Sequence, residues 1–159
     1  MFTQSQILHA LHAVKDPEIP VVSIVEMGLI ADVQVGDDSV RVKITPTFAG
    51  CPAVEVMRAE SEKTIRALGI QNVAVEIMFA PPWDSNRISE DGRRKLKEFG
   101  LAPPMRHNGS VDLIQIQFTA CPFCGSENTQ LESLFGPTLC RAIHYCNNCQ
   151  QSFEQLKPI

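Results

Sequence analysis

Two cysteine pairs of identical spacing limit what the C-terminal part of this chain can fold into. The first pair stands in CPFCG, the second in CNNC, and 21 residues separate them. Two tight turns of this kind can place four thiolates around one Zn²⁺, each about 2.3 Å from the metal. A segment of about 40 residues buries too small a core to be stable alone, so the metal would supply much of its folding free energy. We therefore predict a structural zinc ribbon over residues 119–159, with four ligands: Cys121, Cys124, Cys146 and Cys149.

Composition and the N-terminal sequence bear on how the six cysteines are used. No stretch approaches the roughly 18 apolar residues of a membrane span. The N-terminus, MFTQSQILHALHAVKD, has neither a basic segment nor a small-residue cleavage site of a secretory signal. We therefore expect a cytoplasmic protein without a membrane partner, where cysteines more often bind metals or react than form disulfides. Mononuclear iron is the alternative to zinc as the metal bound by the four paired cysteines.

Charge argues against nucleic acid as a partner of the ribbon. Zinc ribbons that bind nucleic acid need basic residues that neutralise phosphates. From residue 106 onward the chain has only Arg106, Arg141 and Lys157 against four acidic residues, and its net charge overall is -4. We therefore expect the ribbon to dock onto a protein.

Hydrophobic periodicity predicts short helices and strands before the ribbon. The spacing of apolar residues predicts helices over residues 5–14, 52–68 and 89–99. Alternating apolar residues predict a hairpin of strands 31–35 and 40–44 and a third strand over 73–79. The predicted order is α-β-β-α-β-α. The fold class is α+β, with helices on one face of a short sheet and a β-rich zinc ribbon after it.

The segment GLAPPMRHNGS, residues 100–110, is rich in proline and glycine and has almost no apolar pattern. Such composition is typical of a linker. We predict an α/β domain over residues 1–104, a linker or extended strand over 105–118, and the ribbon over 119–159.

Cys51 stands apart from the other cysteines, in TPTFAGCPAVEVM. Pro52 suits the first position of a helix, which would make Cys51 its N-cap. A thiolate there is stabilised by the first-turn N–H groups and the helix dipole, which lowers the pKa of the thiol. Thr47 and Gly50 fit a tight, exposed turn in front of it. The residues alone leave two interpretations open, a buried hydrophobic side chain and a reactive or metal-binding thiolate.

Cys140, in FGPTLC, lies outside the four-cysteine set. Its residue type and setting favour a small apolar side chain on a strand. His144 could replace a metal ligand in principle, but two intact cysteine pairs make that unnecessary. No His–Asp pair stands at a spacing that would make Cys51 a hydrolase nucleophile.

Several motifs together resemble a known family. DPEIPVVSIVEMGLI, TFAGCP and APPWDSNRIS, in this order, resemble the small iron–sulphur-assembly domain of the SufT type. CPFCGS, FGPTLC and CNNC are similar to the tail of a longer family, the D subunits of the phenylacetyl-CoA epoxidase system, PaaD. The resemblance covers essentially the whole chain.

The resemblance implies an accessory protein of aerobic phenylacetate breakdown in bacteria, and not an enzyme. In that pathway a di-iron oxygenase converts phenylacetyl-CoA to its ring epoxide, and an iron–sulphur reductase supplies the electrons. The accessory protein would help to mature a metal centre of one of these clients. The resemblance implies that Cys51 is the functional cysteine, with Asp16 as a candidate neighbour, and it extends to Cys140. Thr47, in the turn before Cys51, is a further candidate of the functional site.

The number of thiolates limits the mechanism. An iron–sulphur cluster usually takes four thiolates, and the N-terminal domain has only Cys51. We therefore expect a transient cluster, which would bridge a homodimer, use ligands of a client, or use Cys140. The alternative is a non-catalytic structural subunit of the oxygenase complex.

Overall fold

The computed structural model describes residues 1–159, which form two compact units, Met1–Trp83 and Asp84–Ile159. The sequence predicts a boundary near residue 105, whereas the contacts between residues of the structure place the division after Trp83. The surface helix predicted over 89–99 belongs to the second unit, because Arg93 on that helix donates to the Pro104 and Ser85 carbonyls. None of the helices has the length and apolar character that crossing a bilayer requires.

The first unit holds two helices and five strands. Its elements are α1 Gln4–Leu11, β1 Lys15–Asp16, β2 Ile19–Ser23, β3 Ile30–Val35, β4 Ser39–Ile44, α2 Val54–Arg66 and β5 Asn72–Ile77. Thr3 caps α1 through a capping box. Its side chain accepts from the Gln6 N–H, and the Gln6 side chain accepts from the Thr3 N–H. The hairpin of β1 and β2 has no counterpart in the sequence prediction.

The sheet of the first unit has the order β3-β4-β5. β3 and β4 form the predicted antiparallel hairpin, whereas β5 pairs with β4 in parallel, with α2 as the crossover. Val40, Val42 and Ile44 of β4 are buried in alternation. α1 packs against α2 and β3, and α2 packs against β5, so the helices cover one face. The predicted α+β fold is confirmed.

The segment between β2 and β3 is a tight turn that holds the first unit together. Its Leu29 N–H donates back to Ile24, and the Leu29 carbonyl accepts from the Thr45 N–H over 2.8 Å. The buried indole of Trp83 donates to the Met27 carbonyl over 2.9 Å. The turn is therefore bonded both to the end of β4 and to the segment that follows β5.

The second unit contains a four-stranded sheet of order β6-β9-β8-β7. Its elements are a 3-10 turn Ser85–Arg87, α3 Glu90–Glu98, β6 Leu101–Ala102, α4 Leu113–Gln117, β7 Thr129–Ser133, β8 Arg141–Cys146 and β9 Ser152–Leu156. β7, β8 and β9 are antiparallel, while β6 runs parallel to β9. The β-rich ribbon is confirmed, and the segment before it contributes α4.

The two cysteine turns of the ribbon have the same backbone geometry. The Cys121 N–H donates to Ser126, and the Cys146 N–H donates to Gln151, each over 2.9 Å. The residue after the second cysteine of each pair is left-handed, Gly125 with φ 75° and Gln150 with φ 60°. Glycine adopts this conformation at no steric cost, whereas a side chain pays roughly 1–2 kcal/mol.

We expect Gln150→Gly to raise the free energy of unfolding of the second unit by about 1 kcal/mol, because it removes the Cβ from a left-handed position. Urea unfolding followed by the emission of Tyr145, the only tyrosine, measures this unit. Gly125→Ala is the matched control and should lower the stability. Equal stability of Gln150→Gly and the wild type would contradict the assigned strain.

Candidate functional site

The structure brings together four of the predicted site residues. The sulfur of Cys121 lies 3.7 Å from that of Cys149, and the sulfur of Cys124 lies 3.6 Å from that of Cys146. All four sulfurs lie within 4.8 Å of one another. A regular tetrahedron with metal–sulfur bonds of about 2.3 Å has edges of about 3.8 Å, whereas a disulfide needs about 2.05 Å. None of the six cysteines is in a disulfide, and the four-sulfur group fits a tetrahedral Zn²⁺.

The surroundings of the four sulfurs are uneven. Cys121 and Cys146 are buried and pack against Phe153, whereas Cys124 is exposed. The Asn148 side chain donates to the Cys124 sulfur over 3.6 Å and lowers the pKa of that thiol to about 6. Burial raises the pKa of Cys149 to about 12. A thiolate at Cys149 therefore needs the positive charge of a metal.

His144 is not part of the four-sulfur group. Its ring stacks on Phe153 with centroids 5.4 Å apart, and its Nε2 lies 2.9 Å from Gln155 Oε1. His144 is thus a packed residue of the β8–β9 face, and the four cysteines form the donor set without it.

Cys51 lies in the loop between β4 and α2, at the carboxyl end of β4. Its N–H donates to the Phe48 carbonyl, and its own carbonyl accepts from the Val54 N–H, both over 3.3 Å. The side chain is half-buried. The predicted N-cap position is wrong, because Pro52 and Ala53 form a turn and Ala53 is the N-cap of α2. Cys51 therefore lies just before the turn that leads into the N-cap Ala53 of α2.

The two predicted neighbours of Cys51 lie on different segments. Asp16 is a buried residue of β1, and its Oδ1 accepts from the Glu18 N–H over 2.9 Å. Thr47 is half-buried and lies in the same loop as Cys51. Their roles beside Cys51 remain predictions.

Glu26 is a buried acid that the sequence prediction omits. Its carboxylate accepts from the Ser23 N–H over 2.8 Å, and the Ser23 hydroxyl accepts from the Glu26 N–H over 3.0 Å. This exchange is the one made by an S-x-x-E capping box, and that spacing is visible in SIVE. Ser23 also lies 3.3 Å from His12 Nδ1, which joins the turn to the end of α1.

Cys140 is buried and directly precedes β8. Its sulfur lies 3.1 Å from the Thr138 hydroxyl, and its carbonyl accepts from the Lys157 N–H over 2.8 Å. The Lys157 ammonium donates to Leu134 and lies 5.1 Å above the Phe135 ring. Cys140 thus sits in a packed corner of the second unit and outside the four-sulfur group.

The second unit also brings together Asp84, Ser85 and His107. The His107 Nε2 lies 3.4 Å from the Ser85 hydroxyl and 3.2 Å from the Asp84 carboxylate. A charge-relay triad needs the acid on the opposite ring nitrogen. Here that atom, Nδ1, accepts from the Gly109 N–H. Ser85 is fully buried and also bonds Ile159, so this cluster fixes the backbone.

We expect Cys121→Ser to lower the zinc content from about one ion per chain to near zero and to unfold the ribbon, because the metal supplies its folding free energy. Metal analysis and limited proteolysis of the second unit measure both effects. Cys140→Ser removes a thiol of the same unit that lies outside the group, so it should keep the zinc. A metal-free but protease-resistant ribbon would contradict the expectation.

Family models match both parts of the chain. Residues 4–77 match the iron–sulphur cluster assembly protein family, and residues 111–157 match the PaaD zinc beta ribbon domain. The first match falls within the unit that contains Cys51, and the second contains the four-sulfur group.

Solved structures resemble the N-terminal part. A DUF59 domain of unknown function from Bacillus anthracis is 27% identical with a TM-score of 0.55, and the match covers 58% of this chain and 90% of that protein. A conserved hypothetical protein from Thermotoga maritima is 35% identical with a TM-score of 0.52, and the match covers 60% of this chain and 94% of that protein.

Curated relatives extend the match. An Fe-S protein maturation auxiliary factor from Porphyromonas gingivalis is 33% identical over 59% of this chain and 90% of its own length. A protein of Escherichia coli K12, provisionally named as the D component of 1,2-phenylacetyl-CoA epoxidase, is 35% identical over 94% of this chain and 89% of its own length. With this identity along nearly its whole length, and with the PaaD ribbon behind an iron–sulphur assembly domain, the chain belongs to the PaaD family of the phenylacetyl-CoA epoxidase system.

Proposed function

We propose that this chain is an accessory protein that matures a metal centre of the bacterial phenylacetyl-CoA epoxidase system. It assists iron–sulphur cluster or iron-centre assembly through Cys51, and it does not itself catalyse the epoxidation. It works in the cytoplasm, in phenylacetate degradation. Its clients are the di-iron oxygenase or the iron–sulphur reductase of that system.

The position of Cys51 is the observation that carries this proposal. The thiol is half-buried, stands in the loop at the carboxyl end of β4, and belongs to the unit that matches the assembly family. The four-sulfur group lies in the other unit and is complete without Cys51. We infer that the thiol of Cys51, which lies outside this group, is the ligand that receives a cluster in transit.

A single protein thiolate is better suited to transferring a cluster than to binding it stably. Stable clusters usually have four protein ligands. The remaining ligands would come from a client, from a second copy of this chain, or from Cys140, whose buried sulfur would first have to be uncovered. Asp16 and Thr47 are our candidates for the groups that act beside Cys51. In this scheme the zinc ribbon docks the client.

A structural role within the oxygenase complex is the second candidate, favoured by apolar surface on the second unit. α4 buries none of its residues. Leu113, Ile114 and Phe118 are each more than half exposed in and beside this helix. Apolar side chains of this kind are typical of a surface that another protein covers.

We expect anaerobic reconstitution with ferrous iron and sulphide to give a brown protein with thiolate-to-iron absorption bands, and Cys51→Ala to lose them. The measurements are the visible spectrum and the iron and sulphide content per chain. Cys140→Ala tests the second candidate ligand in the same assay. Equal uptake of iron and sulphide by Cys51→Ala and the wild type would contradict a role for Cys51.

Inactivation of this protein in its host should lower the metal content of one client. The cluster content of the reductase and the iron content of the oxygenase are measured separately, so the depleted protein is the client. A structural role gives a different result, in which the chain co-purifies stoichiometrically with active oxygenase and Cys51→Ser retains full activity. Normal metal content in both clients would contradict a maturation role.

A further inference from the structure

A cavity of about 470 Å³ opens at the end of α4, in the second unit. It is lined by Met105, Phe118, Thr119, Ala120 and Glu127. The two large apolar side chains remain accessible, Met105 at 45% and Phe118 at 62%, and Glu127 is exposed. Apolar walls beside one carboxylate suit a side chain with an apolar stem and a cationic head, which is the structure of Lys and Arg.

The helix α4 continues this apolar surface beyond the cavity. The Phe118 N–H donates to the Ile114 carbonyl over 3.3 Å, so these two residues lie one helical turn apart. Together with Leu113 they are each more than half exposed. A helix of five residues is not stable alone, and here Asp112 and Gln115 fix its first turn through a capping box. The apolar side chains are therefore held in a defined arrangement before any partner binds.

The charge of this part of the chain indicates what covers the apolar surface. Residues 108–140 contain no Lys, Arg or His and three acidic residues, Asp112, Glu127 and Glu132. Arg106, just before this stretch, forms an ion pair with Glu90. An acidic surface repels nucleic acid and anionic lipid, and two copies of it would repel each other across a symmetric dimer. The complementary occupant is a segment of another protein that carries basic residues.

We propose that α4 and this cavity form the docking surface for a basic amphipathic segment of a client protein, and the choice of a client as the partner rests on the proposed function. Apolar side chains of the segment pack on Leu113 and Ile114. A neighbouring Lys or Arg lays its stem along Phe118 and brings its charge to Glu127. Burial of the apolar side chains supplies most of the affinity, and the acidic residues steer the basic segment to the site.

The test is the binding of the zinc-loaded full chain to the purified di-iron oxygenase and to the purified reductase of the same system. We expect the wild type to bind one of the two. Phe118→Asp should weaken that binding by about tenfold or more, because it places a charge in the apolar contact. Leu68→Asp changes an exposed apolar residue of the first unit and should bind like the wild type. Both variants should keep the zinc content of the wild type, which shows that the ribbon is folded.

Glu127→Lys tests the charge without removing apolar surface. It should lower the association rate by about tenfold and make that rate less dependent on salt. Asp38→Lys reverses an exposed acid of the first unit and should leave the rate near that of the wild type. Wild-type affinity in Phe118→Asp, or a wild-type association rate in Glu127→Lys, would overturn the proposal. A wild-type dimer that Phe118→Asp dissociates would overturn it too, because a second copy would then be the occupant.

The outcome for docking can be separated from the outcome for Cys51. Phe118→Asp should still take up iron and sulphide on reconstitution, since Phe118 and Cys51 lie in different units. Equal uptake by Cys51→Ala and the wild type, with client binding lost in Phe118→Asp, would refute the role of Cys51 and support the docking surface. If instead Cys51→Ala loses the cluster and neither purified client binds the wild type, the docking surface is overturned and the role of Cys51 stands.

Discussion

β4 is the strand on which the first unit depends, because its backbone is hydrogen-bonded on both sides. β3 satisfies one edge in the antiparallel sense and β5 the other in the parallel sense. Its buried face consists of Val40, Val42 and Ile44. A strand fixed in this way ends at a defined place, so the loop that follows it starts from a rigid base. The loop that carries Cys51 follows directly from this strand.

The second unit has only a small apolar cluster around its cysteines. The apolar cluster around its cysteines contains little besides Ala102 and Phe153, and two of the four thiols are themselves part of it. The cysteine side chains therefore fill part of the apolar core and also supply the sulfur atoms that could bind a metal. The four sulfurs of the ribbon lie together as one possible metal-binding group, whereas the thiol of Cys51 in the first unit lies outside that group.

Sequence patterns located the elements that rest on local rules. The β3–β4 hairpin follows from alternation around a polar turn, and the four cysteines follow from spacing alone. The β1–β2 hairpin was not predicted because Pro17 directly follows the two-residue β1 and Pro20 lies within β2. The strand β6 was not predicted because two residues have no readable period. The earlier boundary between units agrees with the hydrogen bonds of Arg93 to Ser85 and Pro104, 8 and 11 residues away, which no helix or strand periodicity reveals.

The four sulfurs are unevenly exposed, so a metal ion bound by them would be more accessible from one side than from the other. Cys121 and Cys146 are closed off by the β-sheet side of the ribbon, while Cys124 faces solvent. A chelator, an oxidant or a metal-donating partner therefore meets Cys124 first, and exchange of the ion proceeds from that side. A metal ion held by these four sulfurs would thus be most accessible from the side of Cys124, with the half-buried Cys149 next.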